Sequence, residues 1–97
     1  MFNDVKEKHV QKVKEPDLFK VILHNDDYTT MEFVVEVLID VFHKDIETST
    51  RIMLDVHRKG KGEVGAYTYD IAVTKVTQVR EMAKAREHPL RCTIQPA

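Results

Sequence analysis

Residues 18–29, LFKVILHNDDYT, are the stretch from which the fold of this chain can be predicted. Residues 18–23 are rich in apolar and β-branched side chains, which is typical of a strand. Asn25, Asp26 and Asp27 follow, and such residues favour turns because their short polar side chains bond to nearby backbone. The stretch therefore predicts a buried strand that ends in a polar loop.

Two helices are predicted after this loop. Thr29 and Glu32 have the Thr-x-x-Glu spacing of a capping box, which marks the start of the first helix. Asp45 is a suitable N-cap for the second helix, and Gly60 is a suitable residue to end it. These signals predict two helices in succession, joined by a short connection.

The remainder of the chain adds a strand, a helix and a strand. Residues 62–67 suggest a short strand, and Thr68 can cap a third helix that ends before Pro89. Residues 90–94 alternate between polar and apolar side chains, as a half-buried strand does. The order β-α-α-β-α-β predicts an α+β fold, a single small domain in which a three-stranded antiparallel sheet packs on three helices.

Composition limits the function classes that this sequence can serve. The 97 residues include 15 basic and 16 acidic side chains, so the chain lacks the strong positive charge of a nucleic-acid-binding protein. One cysteine, Cys92, cannot form an internal disulfide, and no apolar run is long enough to span a bilayer. We expect a cytoplasmic protein without a membrane segment.

The first part of the sequence differs from the rest. Residues 1–16 are rich in charged side chains and contain few large apolar ones, so they are predicted to form a mobile N-terminal arm. Residues 17–97 are predicted to form the folded core.

Three features of the core suggest a binding site. They are the Asn25–Asp27 loop, His57 on the second helix, and the apolar set Met31, Val34, Met53, Val56 and Leu90. Each also has an ordinary interpretation, as turn residues, a partly buried histidine and plain core. Together they offer hydrogen-bond acceptors beside an apolar hole, which would suit an ammonium group attached to a large side chain.

Separated motifs along the core resemble the ClpS adaptor family. They are residues 19–29 and 31–34, the run Met53-Leu54-x-Val56-His57, residues 60–61 and 74–76, and the closing stretch at residues 87–93. The resemblance covers about residues 18–95. It implies a non-enzymatic adaptor without cofactor or metal, which binds proteins through a free N-terminal Leu, Phe, Tyr or Trp and delivers them to a Clp ATPase-protease.

The resemblance also implies roles for individual residues. The substrate's α-amino group would be received by Asn25, Asp26, Asp27 and His57. The pocket for its first side chain would be formed by Thr29, Met31, Val34, Met53, Val56 and Leu90. Docking on the N-terminal domain of a ClpA- or ClpC-type ATPase would involve Asp70 and Lys75, and the arm would serve delivery. The expected state is a monomer that binds neither nucleic acid nor membrane.

Two residues depart from the family pattern. Thr30 stands where many relatives have proline, and His24 stands where relatives usually have an apolar residue beside the pocket. Threonine is allowed at that position at a small loss of rigidity. The histidine affects the expected fine specificity of the pocket rather than the expected function.

Three other functions are compatible with parts of the sequence. Asp26, Asp27 and His57 could form a catalytic base and its orienting group, although no phosphate loop or paired nucleophile accompanies them. His24, Asp26, Asp27 and His57 could bind a metal, although their spacing matches no tight motif. The element order also resembles the C-terminal domain of the ribosomal stalk protein, which suggests an RNA or ribosome interaction module by fold analogy alone.

Overall fold

The computed structural model describes residues 15–97. The predicted arm at residues 1–16 lies outside this range except for its last two residues. Residues 15–97 form three helices and a three-stranded antiparallel sheet, in the predicted order β-α-α-β-α-β. The elements are β1 (Leu18–His24), α1 (Met31–Asp40), α2 (Ile46–Lys59), β2 (Lys61–Thr68), α3 (Tyr69–Ala85) and β3 (Arg91–Pro96).

The sheet has β1 at its centre, between β2 and β3. Both neighbours run antiparallel to β1. β2 contains an extra residue, because Val21 pairs with Gly65 while Ile22 pairs with Glu63. Such a bulge increases the local twist of the strands. Beyond the bulge the pairing continues to the end of β1, so the loop that follows β1 emerges between its two neighbours.

The core lies between the helices and one face of the sheet. Val21 and Leu23 are fully buried in it, while Ile22 points to the opposite face, as alternation along a strand requires. The buried stripe of α3 consists of Ala72, Val76, Val79 and Ala83, which are at most 7% exposed. The main contributors from α1 and α2 are Phe33, Val34, Val37, Leu38, Ile52, Met53 and Val56.

The start of α1 differs from the prediction by one residue. Thr30, not Thr29, is the N-cap, and its side-chain oxygen accepts a hydrogen bond from the backbone N–H of Phe33 at 3.1 Å. The Thr29 hydroxyl instead donates to the Asp26 carboxylate at 2.6 Å. The predicted capping box between Thr29 and Glu32 is therefore wrong, because Asp26 already binds the hydroxyl that it would use.

The boundaries of α2 agree with the prediction. The Asp45 side chain accepts from the backbone N–H of Thr48 at 2.7 Å, as an N-cap does. Gly60 ends the helix with a φ of 89°, in the left-handed region where glycine has no steric penalty. This turn leads the chain directly into β2.

Candidate functional site

The end of β1 lies beside the C-terminal end of α2 and beside the start of β3. His24, the last residue of β1, pairs with Lys61 of β2 on one side and with Arg91 of β3 on the other. The Asn25–Asp27 loop therefore leaves the sheet where both neighbouring strands begin. Because α2 ends just before Lys61 and Leu90 just precedes Arg91, this pairing brings the C-terminal end of α2 and Leu90 to the loop.

A backbone hydrogen bond fastens the loop to α2. The N–H of Asn25 donates to the carbonyl oxygen of Gly60 at 2.9 Å. His57 precedes Gly60 by less than one helical turn. The bond therefore fixes the spacing between the polar loop and the end of α2 that bears His57.

Asp26 organises the loop from within. Its Oδ1 accepts from the backbone N–H groups of Tyr28 and Thr29 at 2.8 and 2.7 Å, and its Oδ2 accepts from the Thr29 hydroxyl at 2.6 Å. Desolvation acts to raise the pKa of Asp26, but these hydrogen bonds and the nearby His88 outweigh it, so the pKa lies below its ordinary value. The ionised carboxylate of Asp26 therefore stabilises the conformation of the turn.

Three other polar side chains of the site remain open to solvent. Asn25, Asp27 and His57 are exposed. Within residues 15–97, none of these three side chains has a hydrogen-bond partner. The amide and the carboxylate offer oxygen acceptors, and a neutral imidazole offers one nitrogen acceptor. The family resemblance implies four receiving residues, and the fourth, Asp26, already accepts hydrogen bonds within the loop.

The predicted pocket residues divide into a buried group and a rim. Val34, Met53, Val56 and Leu90 are 5%, 9%, 2% and 7% exposed and belong to one apolar cluster. Met31, the first residue of α1, is 41% exposed. Thr29 is half-buried, and its hydroxyl is held by Asp26, so its methyl group remains for apolar contact. The predicted pocket residues thus comprise a buried apolar group and an exposed thioether at the start of α1.

His88 is a neighbour of the site to which the sequence analysis gave no role. Its ring stacks on Phe33 of α1 with a centroid distance of 4.3 Å and an interplanar angle of 23°. Arg86, two residues earlier, pairs with Glu36 through two hydrogen bonds of 3.0 and 2.6 Å. Together these contacts hold the turn between α3 and β3 against α1, which positions Leu90.

His24 is hydrogen-bonded and half-buried at the end of β1. Its Nε2 lies 2.7 Å from the Thr93 hydroxyl on β3. Burial, followed by the positive charges of Arg91 and Lys61, lowers the pKa of His24. His24 therefore stays neutral to lower pH than an ordinary histidine, and its imidazole ties β1 to β3.

The two residues assigned to docking lie in different environments on α3. Asp70 is exposed in the first turn of the helix. Lys75 is half-buried, and its Nζ donates to the carbonyl of Val41 at 2.7 Å. That is one of its three donors, and it has no other partner among residues 15–97. Tyr69 and Ile71, beside Asp70, are 57% and 49% exposed. This end of α3 presents apolar and acidic groups together.

Within residues 15–97, the side chains with metal-binding or nucleophile chemistry do not form a second site. Cys92 is buried at 8% exposure, and desolvation raises the pKa of its thiol to about 12 against the smaller opposing effect of Arg80. Residues 15–97 contain no group of three His, Cys, Asp or Glu side chains placed to share a metal ion. The helices in this part of the chain are all too short or too polar to cross a membrane.

The fold defines a class of protein, a small α+β domain in which a three-stranded antiparallel sheet packs on three helices. Residues 14–93 match the family model described as ATP-dependent Clp protease adaptor protein ClpS. A ClpS adapter protein of Acetivibrio thermocellus is 64% identical over 86% of this chain and 84% of its own length. One of Syntrophus aciditrophicus is 61% identical over 86% of this chain and 78% of its own length.

A solved structure is similar in the same region. Agrobacterium tumefaciens ClpS2 bound to L-phenylalaninamide superposes with a TM-score of 0.82, at 41% identity, over 86% of this chain and all of that one. The chain belongs to the ClpS family. It is accordingly an adaptor of the Clp protease and not an enzyme.

Proposed function

We propose that this adaptor holds the N-terminal residue of a substrate protein at the Asn25–Asp27 loop and delivers that protein to a Clp ATPase for degradation. The observation that supports this most strongly is the set of free acceptors, Asn25, Asp27 and His57, beside a buried apolar cluster. The similar ClpS2 structure holds phenylalaninamide, which combines an α-amino group with a large apolar side chain.

The α-amino group has three N–H donors and no acceptor when it is protonated. We assign these donors to the Asn25 amide oxygen, an Asp27 carboxylate oxygen and an imidazole nitrogen of His57. Asp26 contributes differently, because its oxygens already accept from Tyr28 and Thr29. Its negative charge favours the cation, and its hydrogen bonds keep the loop in the receiving conformation.

The first side chain of the substrate would lie on the apolar cluster of Val34, Met53, Val56 and Leu90, with Met31 and the Thr29 methyl at its rim. Burying an apolar surface stabilises the complex by about 25 cal/mol per Å², so a large side chain gains more than a small one. We therefore assign Leu, Phe, Tyr and Trp as the preferred first residues. The side chains of these four residues are not branched at Cβ, so they can pass the rim. A side chain that is branched at Cβ would collide with it.

Delivery requires a second surface. We assign docking on the N-terminal domain of a ClpA- or ClpC-type ATPase to the end of α3 that contains Asp70 and Lys75. The exposed Tyr69 and Ile71 beside Asp70 would add the apolar contact that a stable interface needs. The arm at residues 1–16 would then act in transfer, and the adaptor would work as a cytoplasmic monomer.

A peptide titration tests the recognition step. Peptides that differ only in their first residue should bind tightly when it is Leu, Phe, Tyr or Trp, and at least about tenfold more weakly when it is Ser. Equal affinity for all first residues would contradict the proposal. Deleting residues 1–16 should leave these affinities unchanged and slow the degradation of a Phe-initiated substrate by the partner protease.

A further inference from the structure

The turn between α3 and β3 contains a strained residue. Glu87 has a φ of 60°, in the left-handed region that residues other than glycine rarely adopt. Its backbone N–H donates to the carbonyl of Lys84 at 3.1 Å. The N–H of His88 donates to the carbonyl of Ala83 at 2.9 Å, which completes the Schellman pattern at the end of the helix. Glycine usually occupies such a left-handed position, as Gly60 does after α2, so other contacts must stabilise this turn.

Two residues of the turn contact α1. The His88 ring stacks on the ring of Phe33, with the centroids 4.3 Å apart and the planes inclined by 23°. The Cζ atom of Arg86 lies 5.9 Å from the centroid of the same ring, and its guanidinium donates two hydrogen bonds to the Glu36 carboxylate. Phe33 is 2% exposed, so the stack reaches the apolar core. These contacts hold the strained turn at a fixed distance from α1.

The stack also connects two sides of the candidate pocket. Val34 follows Phe33 in α1. Leu90 follows His88 by two residues, just before β3 begins. Both Val34 and Leu90 are buried and were assigned to the pocket for the first side chain. His88 lies, in addition, close enough to Asp26 for its charge to act on that carboxylate. One ring therefore joins α1 to the segment that supplies Leu90, beside the polar loop.

We propose that His88 is a positioning residue of the recognition site, whose ring holds Leu90 at the distance from Val34 that suits a large first side chain. A Phe side chain makes extensive contact with the apolar cluster and depends on the position of Leu90. The methyl group of Ala makes little such contact. His88 thus contributes to the preference for large first residues by acting through Leu90. This inference rests on the proposed function, since it supposes that the first side chain lies on the apolar cluster.

Two peptides that differ only in their first residue, Phe or Ala, test this role with the full chain. Competition against a labelled Phe-initiated peptide gives both dissociation constants. His88→Ala removes the stack and should weaken binding of the Phe peptide about threefold to tenfold, while binding of the Ala peptide should change by less than about twofold. His88→Phe keeps an aromatic ring on Phe33 and should keep the wild-type ratio of the two constants. An unchanged ratio in a folded His88→Ala protein would overturn the inference.

A control variant separates the position of Leu90 from the stability of the fold. Val64→Ala shortens a side chain that is 4% exposed on β2, on the other side of β1 from β3. It should lower the urea midpoint at least as much as His88→Ala does and should keep the wild-type ratio. If both variants lower the ratio equally, loss of stability is responsible and the inference is wrong.

The strained residue provides a second check. Glu87→Gly relieves the left-handed strain and leaves the His88 ring in place, so it should raise the urea midpoint. Adding Glu87→Gly to His88→Ala should restore stability and leave the ratio of dissociation constants lowered. A double variant with the wild-type ratio would show that His88 acts on stability alone, which would overturn the positioning role.

The wild-type titrations separate the two proposals. If the wild type prefers the Phe peptide, N-acetylation abolishes binding and His88→Ala keeps the ratio, the proposed function stands and the positioning role fails. If the wild type binds the Phe and Ala peptides alike, both proposals are overturned.

Discussion

The backbone N–H of Asn25 donates to the carbonyl of Gly60 at 2.9 Å, and this bond joins the two halves of the candidate site. One half is the polar loop after β1, and the other is the end of α2 with His57. Gly60 can offer its carbonyl in this direction because its φ of 89° turns the chain sharply after the helix. The geometry of the site therefore depends on a residue that has no side chain.

Replacing Gly60 tests this dependence. Gly60→Ala should lower the free energy of unfolding by about 1 kcal/mol, since a Cβ is disfavoured at positive φ while no neighbouring atom obstructs it. Gly60→Asn should cost less, because asparagine tolerates this conformation better. Urea denaturation measures both variants. Equal stability of the wild type and the alanine variant would show that the turn is not strained.

Substitutions of the two adjacent aspartates should have different effects, one on the stability of the fold and the other on peptide binding. Asp26→Ala removes the acceptor of three hydrogen bonds and should cost about 1 kcal/mol of stability. Asp27→Ala should change stability by less than about 0.5 kcal/mol, because its carboxylate is exposed. It should instead weaken peptide binding. A stability loss confined to the Asp27 variant would contradict the division of roles.

Acid should remove the contribution of Asp26 to the free energy of unfolding. Its pKa is lowered in the folded protein, so the unfolded chain binds more protons in acid and the free energy of unfolding rises with pH there. The contribution should be complete above the unfolded value of about 3.9 and should disappear as pH falls through the lowered folded value. The stability gap between wild type and Asp26→Ala, measured by urea denaturation from neutral to acid pH, should narrow only in that window. A gap that stays constant would contradict the assignment.

His57 is predicted to accept a hydrogen bond from the substrate amine. His57→Gln retains an acceptor oxygen and should bind a Phe-initiated peptide within about threefold of wild type. His57→Lys offers donors only and places a second cation beside the amine, so binding should weaken at least about tenfold. Because His57 is exposed, unfolding measurements should show both variants to be folded. Equal binding by the glutamine and lysine variants would remove His57 from the α-amino site.

Met31 is predicted to limit which first residues enter. Its side chain is 41% exposed at the start of α1, where shortening it opens space without emptying the core. Met31→Ala should therefore admit peptides that begin with Ile or Val, which we expect the wild type to reject. Ile39→Ala, at a residue 37% exposed on the same helix, is the matched control and should leave specificity unchanged. A folded Met31→Ala protein that still rejects Ile and Val would rule out this limit.

The element order could be predicted because local signals agree with the global fold. Asp45 and Gly60 cap α2 as their chemistry requires, and the apolar stripe of α3 has helical spacing. The N-cap of α1 could not be chosen correctly, because Thr29 and Thr30 are chemically identical. Only the position of Asp26 decides which hydroxyl is free to cap the helix.

The finer arrangement of the site required the three-dimensional structure. Sequence reasoning treated Asp26 and Asp27 alike, although one carboxylate organises the loop and the other is exposed. Sequence reasoning also did not foresee that Arg80 and Lys84 of α3 and Arg91 of β3 line one groove. These three side chains line the same groove only because α3 packs along β3. Their spacing in the sequence does not indicate that they are close in space.

The most direct test compares two peptides that are identical except for N-acetylation, each beginning with Phe. Acetylation removes the positive charge and two of the three donors of the α-amino group and keeps the large side chain. If Asn25, Asp27 and His57 receive that group, the free peptide should bind at least about a hundredfold more tightly to the wild type, by isothermal titration. Asn25→Ala combined with Asp27→Ala should reduce this ratio towards one. Equal affinity of the wild type for both peptides would contradict the claim that this adaptor recognises a free N-terminus.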